Sequence, residues 1–418
     1  MCSSDLVHAG AAPDPATGAR AQPIYQTTAY VFEDADHAAA LFNLQTVGFI
    51  YSRLTNPTNA ALETRIATLE GGRGCTVASS GHAAQVLALF PLMSPGSEIV
   101  AASRLYGGSL QQMRNTYPKF GWKANIVDAD QTDNFKRAVT DKTKAFFIES
   151  LANPGGVVSD IEAIARIAED AAVPLIVDNT MATPFLCKPI DHGATIVLHS
   201  TTKFLSGTGT SMGGAIVDSG KFDWSKGGKF PSLAGPEPAY HGLNFHETFG
   251  DMAYTFHCHA VGLRDLGPNQ APFNAWITML GIETLGLRME RHCANAQKVA
   301  QHLEKHPAVA WVNYAGLPSN KYHSLARKYL PRGAGSIFTF GVRGGYETGI
   351  KLVDSVELFS HVANIGDAKS LIIHPASTTH RQLTDEQRVA AGAGPDVIRL
   401  SIGIETVDDI IEIGRAHV

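Results

Sequence analysis

Residues 195–207 read Thr195-Ile196-Val197-Leu198-His199-Ser200-Thr201-Thr202-Lys203-Phe204-Leu205-Ser206-Gly207. A strand-length apolar run without polar alternation ends at a histidine, and hydroxyl side chains and one lysine follow before a glycine. Strands buried on both faces read this way. Comparable runs lie upstream at 75–78, 98–101, 124–127, 145–148 and 174–177, and downstream at 214–217. Helix-like segments separate most of them, for example 81–92 and 161–171. Near-continuous apolar strands alternating with helices predict an α/β fold built on a mainly parallel sheet covered on both faces.

Outward from this block the pattern changes. Residues 7–50 are rich in Ala, Pro and Thr with little periodicity, as expected of an extended arm. Residues 219–275 interrupt the rhythm with Gly, Pro, His and aromatic residues. A long helix is expected over 284–306, then strands over 336–342 and 397–402. The chain therefore divides into an N-terminal arm (1–55), a large domain (56–270) and a smaller C-terminal α/β domain (271–418). Hydrophobic residues make up 44% of the 418 and charged residues 17%, ordinary for a globular protein. The formal net charge of −5 provides no basic face for nucleic acid. No apolar stretch reaches the ~20 residues of a membrane span, and the start lacks a signal-peptide layout. The five cysteines are scattered without CxxC spacing, which fits reduced thiols in a cytoplasmic protein. Residues 2–6 and 412–418 read as translated adapter DNA, foreign to the fold; on that reading the last helix is incomplete.

The chemistry concentrates at three places. Lys203 follows a buried strand, with Ser200 and Thr202 beside it as hydroxyl donors for phosphate oxygens. A lysine that forms a Schiff base needs this setting, reachable but partly desolvated and close to a phosphate site. Asp178 closes the apolar run 174–177, at the sheet edge where open α/β folds bind ligands. A carboxylate there can hold a pyridine nitrogen protonated, though it could equally cap a turn. Ser79-Ser80-Gly81-His82 follows a strand and opens a helix, whose N-terminus attracts anions. Two other patterns compete. Gly209-Thr210-Ser211-Met212-Gly213 matches the serine-hydrolase elbow, but it leads into a strand rather than a helix. His257-Cys258-His259 suggests a metal, yet no second ligand cluster stands near it in sequence and the alternation fits a strand or loop, so no metal site is expected.

Taken together, these residues resemble the Cys/Met-metabolism family of pyridoxal-phosphate enzymes, of fold type I, from about His8 to Ile411. The phrase His199-Ser200-Thr201-Thr202-Lys203 is close to the family's lysine signature. Tyr51-Ser52-Arg53 with Asn56-Pro57-Thr58, and the segment Val397-Ile398-Arg399-Leu400-Ser401-Ile402-Gly403-Ile404-Glu405, are similar to two more of its motifs. The resemblance implies pyridoxal 5′-phosphate on Lys203, with Ser80, Gly81, His82, Ser200 and Thr202 around the phosphate. Tyr106 would stack on the ring, Asn153 lie near its hydroxyl and Asp178 hold its nitrogen. Arg399, Asn153 and Ser370 would bind the substrate. Tyr51 and Arg53 would reach the phosphate of a neighbouring subunit, which implies a homo-oligomer, typically a dimer of dimers, with shared active sites. Gly107-Gly108-Ser109 lacks the cysteine typical of methionine γ-lyases, and the insertion from Phe230 to Leu243 is similar to that of O-acetylhomoserine sulfhydrylases. The implied reaction is replacement of acetate at Cγ of O-acetyl-L-homoserine by sulfide or methanethiol, giving L-homocysteine or methionine. Freed Lys203 would serve as base at Cα and Cβ, with Tyr106 or Tyr51 moving further protons. Acetyl and succinyl esters both fit this resemblance, and a methionine γ-lyase or a cystathionine γ-synthase or lyase would share the scaffold.

Overall fold

The computed structural model describes residues 4–153, 156–379, 381, 384–390 and 392–413. Strands β1 (Gly74–Ala78), β2 (Glu98–Ala102), β3 (Lys123–Val127), β4 (Thr143–Glu149), β5 (Leu175–Asp178), β6 (Ile196–His199) and β7 (Gly214–Asp218) form one sheet. Their order is β1-β7-β6-β5-β4-β2-β3. From β3 to β6 every pairing is parallel, whereas β7 runs antiparallel to both neighbours. Parallel partners need a crossover. Residues 200–213 contain no helix, so β7 returns antiparallel. The Lys203 segment is that return loop, leaving the carboxyl end of β6.

Local chemistry fixes the helices that cover the sheet. Helix α1 (Pro57–Glu70) starts with Asn56 accepting the Thr58 N–H and with Pro57 in its first turn, and it stops at Gly71 with φ 75°. That combination of proline at the start and left-handed glycine at the end is favoured by the backbone groups each residue lacks or frees. Helix α2 (Gly81–Leu89) is capped by Ser80, whose Oγ accepts the Ala83 N–H at 3.1 Å. Helix α3 (Ile161–Asp170) buries Ile161, Ile164 and Ala168, spaced at helical period.

A second sheet joins β8 (Val309–Asn313), β9 (Ile337–Val342), β10 (Ser360–His361), β11 (Leu371–Ile373) and β12 (Val397–Ser401) in the order β8-β9-β12-β11-β10. Arg399 sits mid-strand in β12, opposite Thr339 of β9 and Ile373 of β11. Helix α4 (Pro272–Glu283) packs on α1, and α5 (Leu285–Glu304) packs on β8.

The His257-Cys258-His259 run, expected as strand or loop, is helical: Ala253–His257 is α-helix and Cys258–Leu263 continues it as π-helix. On a helix, residues two apart point to different sides. His257 is buried against Phe245, while His259 pairs with Glu63 at 3.3 Å. Near the start, Asp5–His8 forms a helical turn that buries Leu6, so this part of the 2–6 segment joins the packing. Cys2, Ser3 and residues 414–418 lie outside the described residues. Cys75, Cys187, Cys258 and Cys293 are buried free thiols, and burial pushes each of them up. No helix among the described residues is long and apolar enough to cross a membrane.

Candidate active site

The carboxyl ends of the parallel strands open onto a cavity of roughly 220 Å³, where open α/β sheets bind ligands. Lys203, Asp178, Tyr106, Asn153, Ser200, Thr202 and the Ser80-Gly81-His82 turn all line it, and β12 brings Arg399 from the second sheet. The Lys203 Nζ donates to Asn364 Oδ1 at 2.5 Å. Burial and then the charge of Arg399 push its pKa down to about 8, because both penalise the ammonium form.

Arg399 is buried, and its guanidinium donates to two amide oxygens, Asn153 Oδ1 at 3.2 Å and the Asn364 carbonyl at 3.2 Å. It joins no ion pair among the described residues. A planar cation desolvated in this way favours a carboxylate partner. Asp178 closes β5 with its Oδ1 accepting the Thr180 N–H at 3.0 Å. Burial raises its pKa, while Thr180 and His199 act the other way.

The loops around these groups are held from behind. Glu149, which closes β4, accepts the Tyr106 N–H at 2.6 Å and the Asn153 N–H at 3.1 Å. One buried carboxylate thus sets two cavity residues that lie far apart in sequence. Burial, and then the neighbouring Asp178, push its pKa well up. Tyr106 and His82 stack with ring centroids 5.8 Å apart, and Gly108 leaves the room, since a Cβ there would lie 2.4 Å from the Tyr106 ring. Behind Asp178, His199 Nε2 and Glu70 Oε1 are 2.6 Å apart in the interior, and Asn179 Nδ2 donates to the same oxygen at 2.8 Å.

Some expected residues stand elsewhere. Tyr51 and Arg53 do not line the cavity of their own chain. Tyr51 bridges to Ala29, and the Arg53 guanidinium lies over its ring at 5.2 Å. Ser370 is buried, with its N–H and hydroxyl given to Glu405 and its carbonyl taken by Ser360; the loop group that reaches the cavity is Asn364. Thr202 lines the cavity, but its hydroxyl is engaged with the Gly213 backbone. Ser211 of the hydrolase-like pattern is buried and donates to the Asn274 carbonyl at 3.1 Å. Sequence reasoning missed Glu149, Gln85 and Asn364, all of which line the cavity.

A family model described as Cys/Met metabolism PLP-dependent enzyme matches residues 3–413. The O-acetyl-L-homoserine sulfhydrylase of Leptospira meyeri is 51% identical, covering 97% of this chain and 93% of that one. The homocysteine synthase of Schizosaccharomyces pombe is 50% identical, covering 97% and 95%. Among solved structures, a putative O-acetylhomoserine (thiol)-lyase from Campylobacter jejuni, which carries N′-pyridoxyl-lysine-5′-monophosphate, superposes with a TM-score of 0.96. It is 41% identical and covers 99% of this chain and 98% of its own.

The residues present fit a phosphorylated pyridine aldehyde. Gly81 keeps a cradle open above the Lys203 loop, since a Cβ there would lie 2.8 Å from the Ser200 Cβ. First-turn amides of α2 face that space without helical acceptors. A lysine amine and an interior carboxylate occupy the same cavity. The chain belongs to the Cys/Met metabolism PLP-dependent enzymes.

Proposed function

We propose that the chain replaces the acetate of O-acetyl-L-homoserine with sulfide to give L-homocysteine, with methanethiol as a second nucleophile giving methionine. The names of the two half-identical relatives support this reading. The observation that carries it is one cavity holding a lysine amine near neutrality, the Asp178 carboxylate and a buried arginine without an ion pair among the described residues.

Pyridoxal phosphate bound there supplies an aldehyde for amines and a ring that accepts the electrons of broken C–H bonds. The rest falls to the chain. Arg399 and Asn153 hold the substrate carboxylate in a planar, paired geometry. Asp178 keeps a proton on the ring nitrogen. The Gly81 and His82 amides, with Ser200, take the phosphate at the helix start. Lys203 would secure the aldehyde at rest; once displaced, its uncharged amine takes the Cα proton, returns that proton to the bound substrate–cofactor system and, uncharged again, takes one from Cβ. Tyr106 covers the ring and, with Tyr51, is the candidate for proton movement toward Cγ. In this reading Tyr51 and Arg53 serve the neighbouring subunit of a dimer of dimers. Residues 1–55 act as an arm, 56–270 carry the cofactor, 271–418 close over the substrate, and the protein works in the cytoplasm.

Incubation with O-acetylhomoserine and sulfide should yield homocysteine and acetate in equal amounts. Release of 2-oxobutyrate and ammonia without homocysteine would assign the chain to the γ-lyases instead.

A further inference from the structure

Arg288 is a buried arginine outside the cavity. Its Nη1 donates to the Phe204 carbonyl at 2.8 Å, its Nη2 to the Gly281 carbonyl at 2.6 Å and its Nε to Thr284 Oγ1 at 3.1 Å. Among the described residues no carboxylate pairs with it, and burial lowers it to about 10. An unpaired buried cation is costly, so carbonyl dipoles must supply what a carboxylate would. One of them belongs to the residue directly after Lys203. Gly207, four residues past Lys203 in the same loop, is where the guanidinium passes: with φ at +74°, it would place a Cβ 2.2 Å from Nη1.

The same face of α5 continues this pattern. His292, four residues on, has Nδ1 2.6 Å from the Ile402 carbonyl and sets its ring edge against Phe204 at 5.3 Å. Asn295, seven residues on, donates to the Gly403 and Glu405 carbonyls at 3.0 and 2.9 Å. Residues at these spacings share one helix face. Their contacts join the Lys203 loop to the turn that follows the Arg399 strand. Across the gap, Ala368 N–H donates to the Gly207 carbonyl and Gly366 N–H to Ser401 Oγ, both at 3.0 Å.

We infer that Arg288 is a positioning residue: from behind, it fixes the Lys203 loop to α5, and through α5 fixes the amine relative to Arg399. The inference rests on the reading that Lys203 carries the cofactor. Arg288→Lys keeps the charge but cannot serve three acceptors in one plane. The expected result is a kcat about 10- to 100-fold lower, the scale of a displaced supporting residue, with KM changed far less. Cofactor loss on dilution, followed by visible absorbance, should be about tenfold faster.

The matched control is Arg65→Lys. Arg65 is also buried and bonded to carbonyls, those of Ala9 and Met279, and it pairs with Glu283 at 3.6 Å; none of these partners belongs to either loop. It should lower the melting temperature and leave cofactor retention and kcat as in wild type. Arg288→Lys behaving like this control overturns the inference. If Arg288→Lys does not fold, Thr284→Val, which removes the Nε acceptor together with that hydroxyl's own bond to the Gly281 carbonyl at 3.3 Å, decides. A smaller shift in the same direction supports the inference, and wild-type retention and kcat overturn it. A wild-type protein that traps no cofactor on Lys203 would instead sink the functional reading itself.

Discussion

At Lys203 two effects of the same sign act on one amine, burial and the nearby Arg399 charge, and together they bring it from an ordinary 10.5 to about 8. The folded value lies below the unfolded one, so between those limits the folded chain binds fewer protons. In cofactor-free protein the penalty is fully present below pH of about 8, and stability recovers as pH rises toward 10.5. Capture of an aldehyde needs the uncharged amine. The rate of pyridoxal phosphate uptake by the cofactor-free protein should therefore climb through a midpoint near pH 8. Arg399→Gln removes the like charge, so the midpoint should move to higher pH, read by stopped-flow absorbance. A midpoint that stays put or falls would contradict the electrostatic role given to Arg399. Asp178 obeys the opposite logic. Its burial favours the acid form, and a cationic ring nitrogen within reach would restore the carboxylate.

At the scale of elements, α1 is tied to two strands by its last residue. Glu70 Oε1 faces both His199, which ends β6, and Asn179, which follows β5. Glu70→Ala removes that shared acceptor in the interior, and leaving buried donors unpaired should cost about 3 kcal/mol. Urea unfolding would measure the loss, and a variant within experimental error of wild type would show the pair to be dispensable. Most strands of the first sheet were legible in the sequence because they are buried on both faces, so burial leaves an unbroken apolar run; the edge strand β3 is only half-buried. Lys203, Asp178 and the Ser80-Gly81-His82 turn were legible for a related reason, since each stands where such a run stops. That same signal could have found Glu149, which closes β4 as Asp178 closes β5. Asn364 could not be found this way. It lies in a loop without periodicity, carried to the amine by the bonds of the Gly366 and Ala368 N–H groups and by the Arg399 bond to its own carbonyl. The helical form of His257-Cys258-His259 was hidden because three residues are too few to separate a period of 2 from one of 3.6.

For the molecule as a whole, the cavity of one chain gathers every group in the scheme except Tyr51 and Arg53. If a neighbouring subunit supplies them, Tyr51→Phe and Lys203→Ala should each be nearly inactive alone. Unfolded together and reassembled, they should recover about a quarter of wild-type activity, since half of randomly formed twofold pairs are mixed and each mixed pair has one intact site. No recovery in verified mixed oligomers would place Tyr51 in the site of its own chain.

The interior placement of Cys75, Cys187, Cys258 and Cys293 has a bearing on redox behaviour. Thiols held protonated and away from solvent are poor nucleophiles. In a protein with the proposed reaction, where free sulfide is the nucleophile, these four thiols are shielded from persulfidation and mixed disulfides.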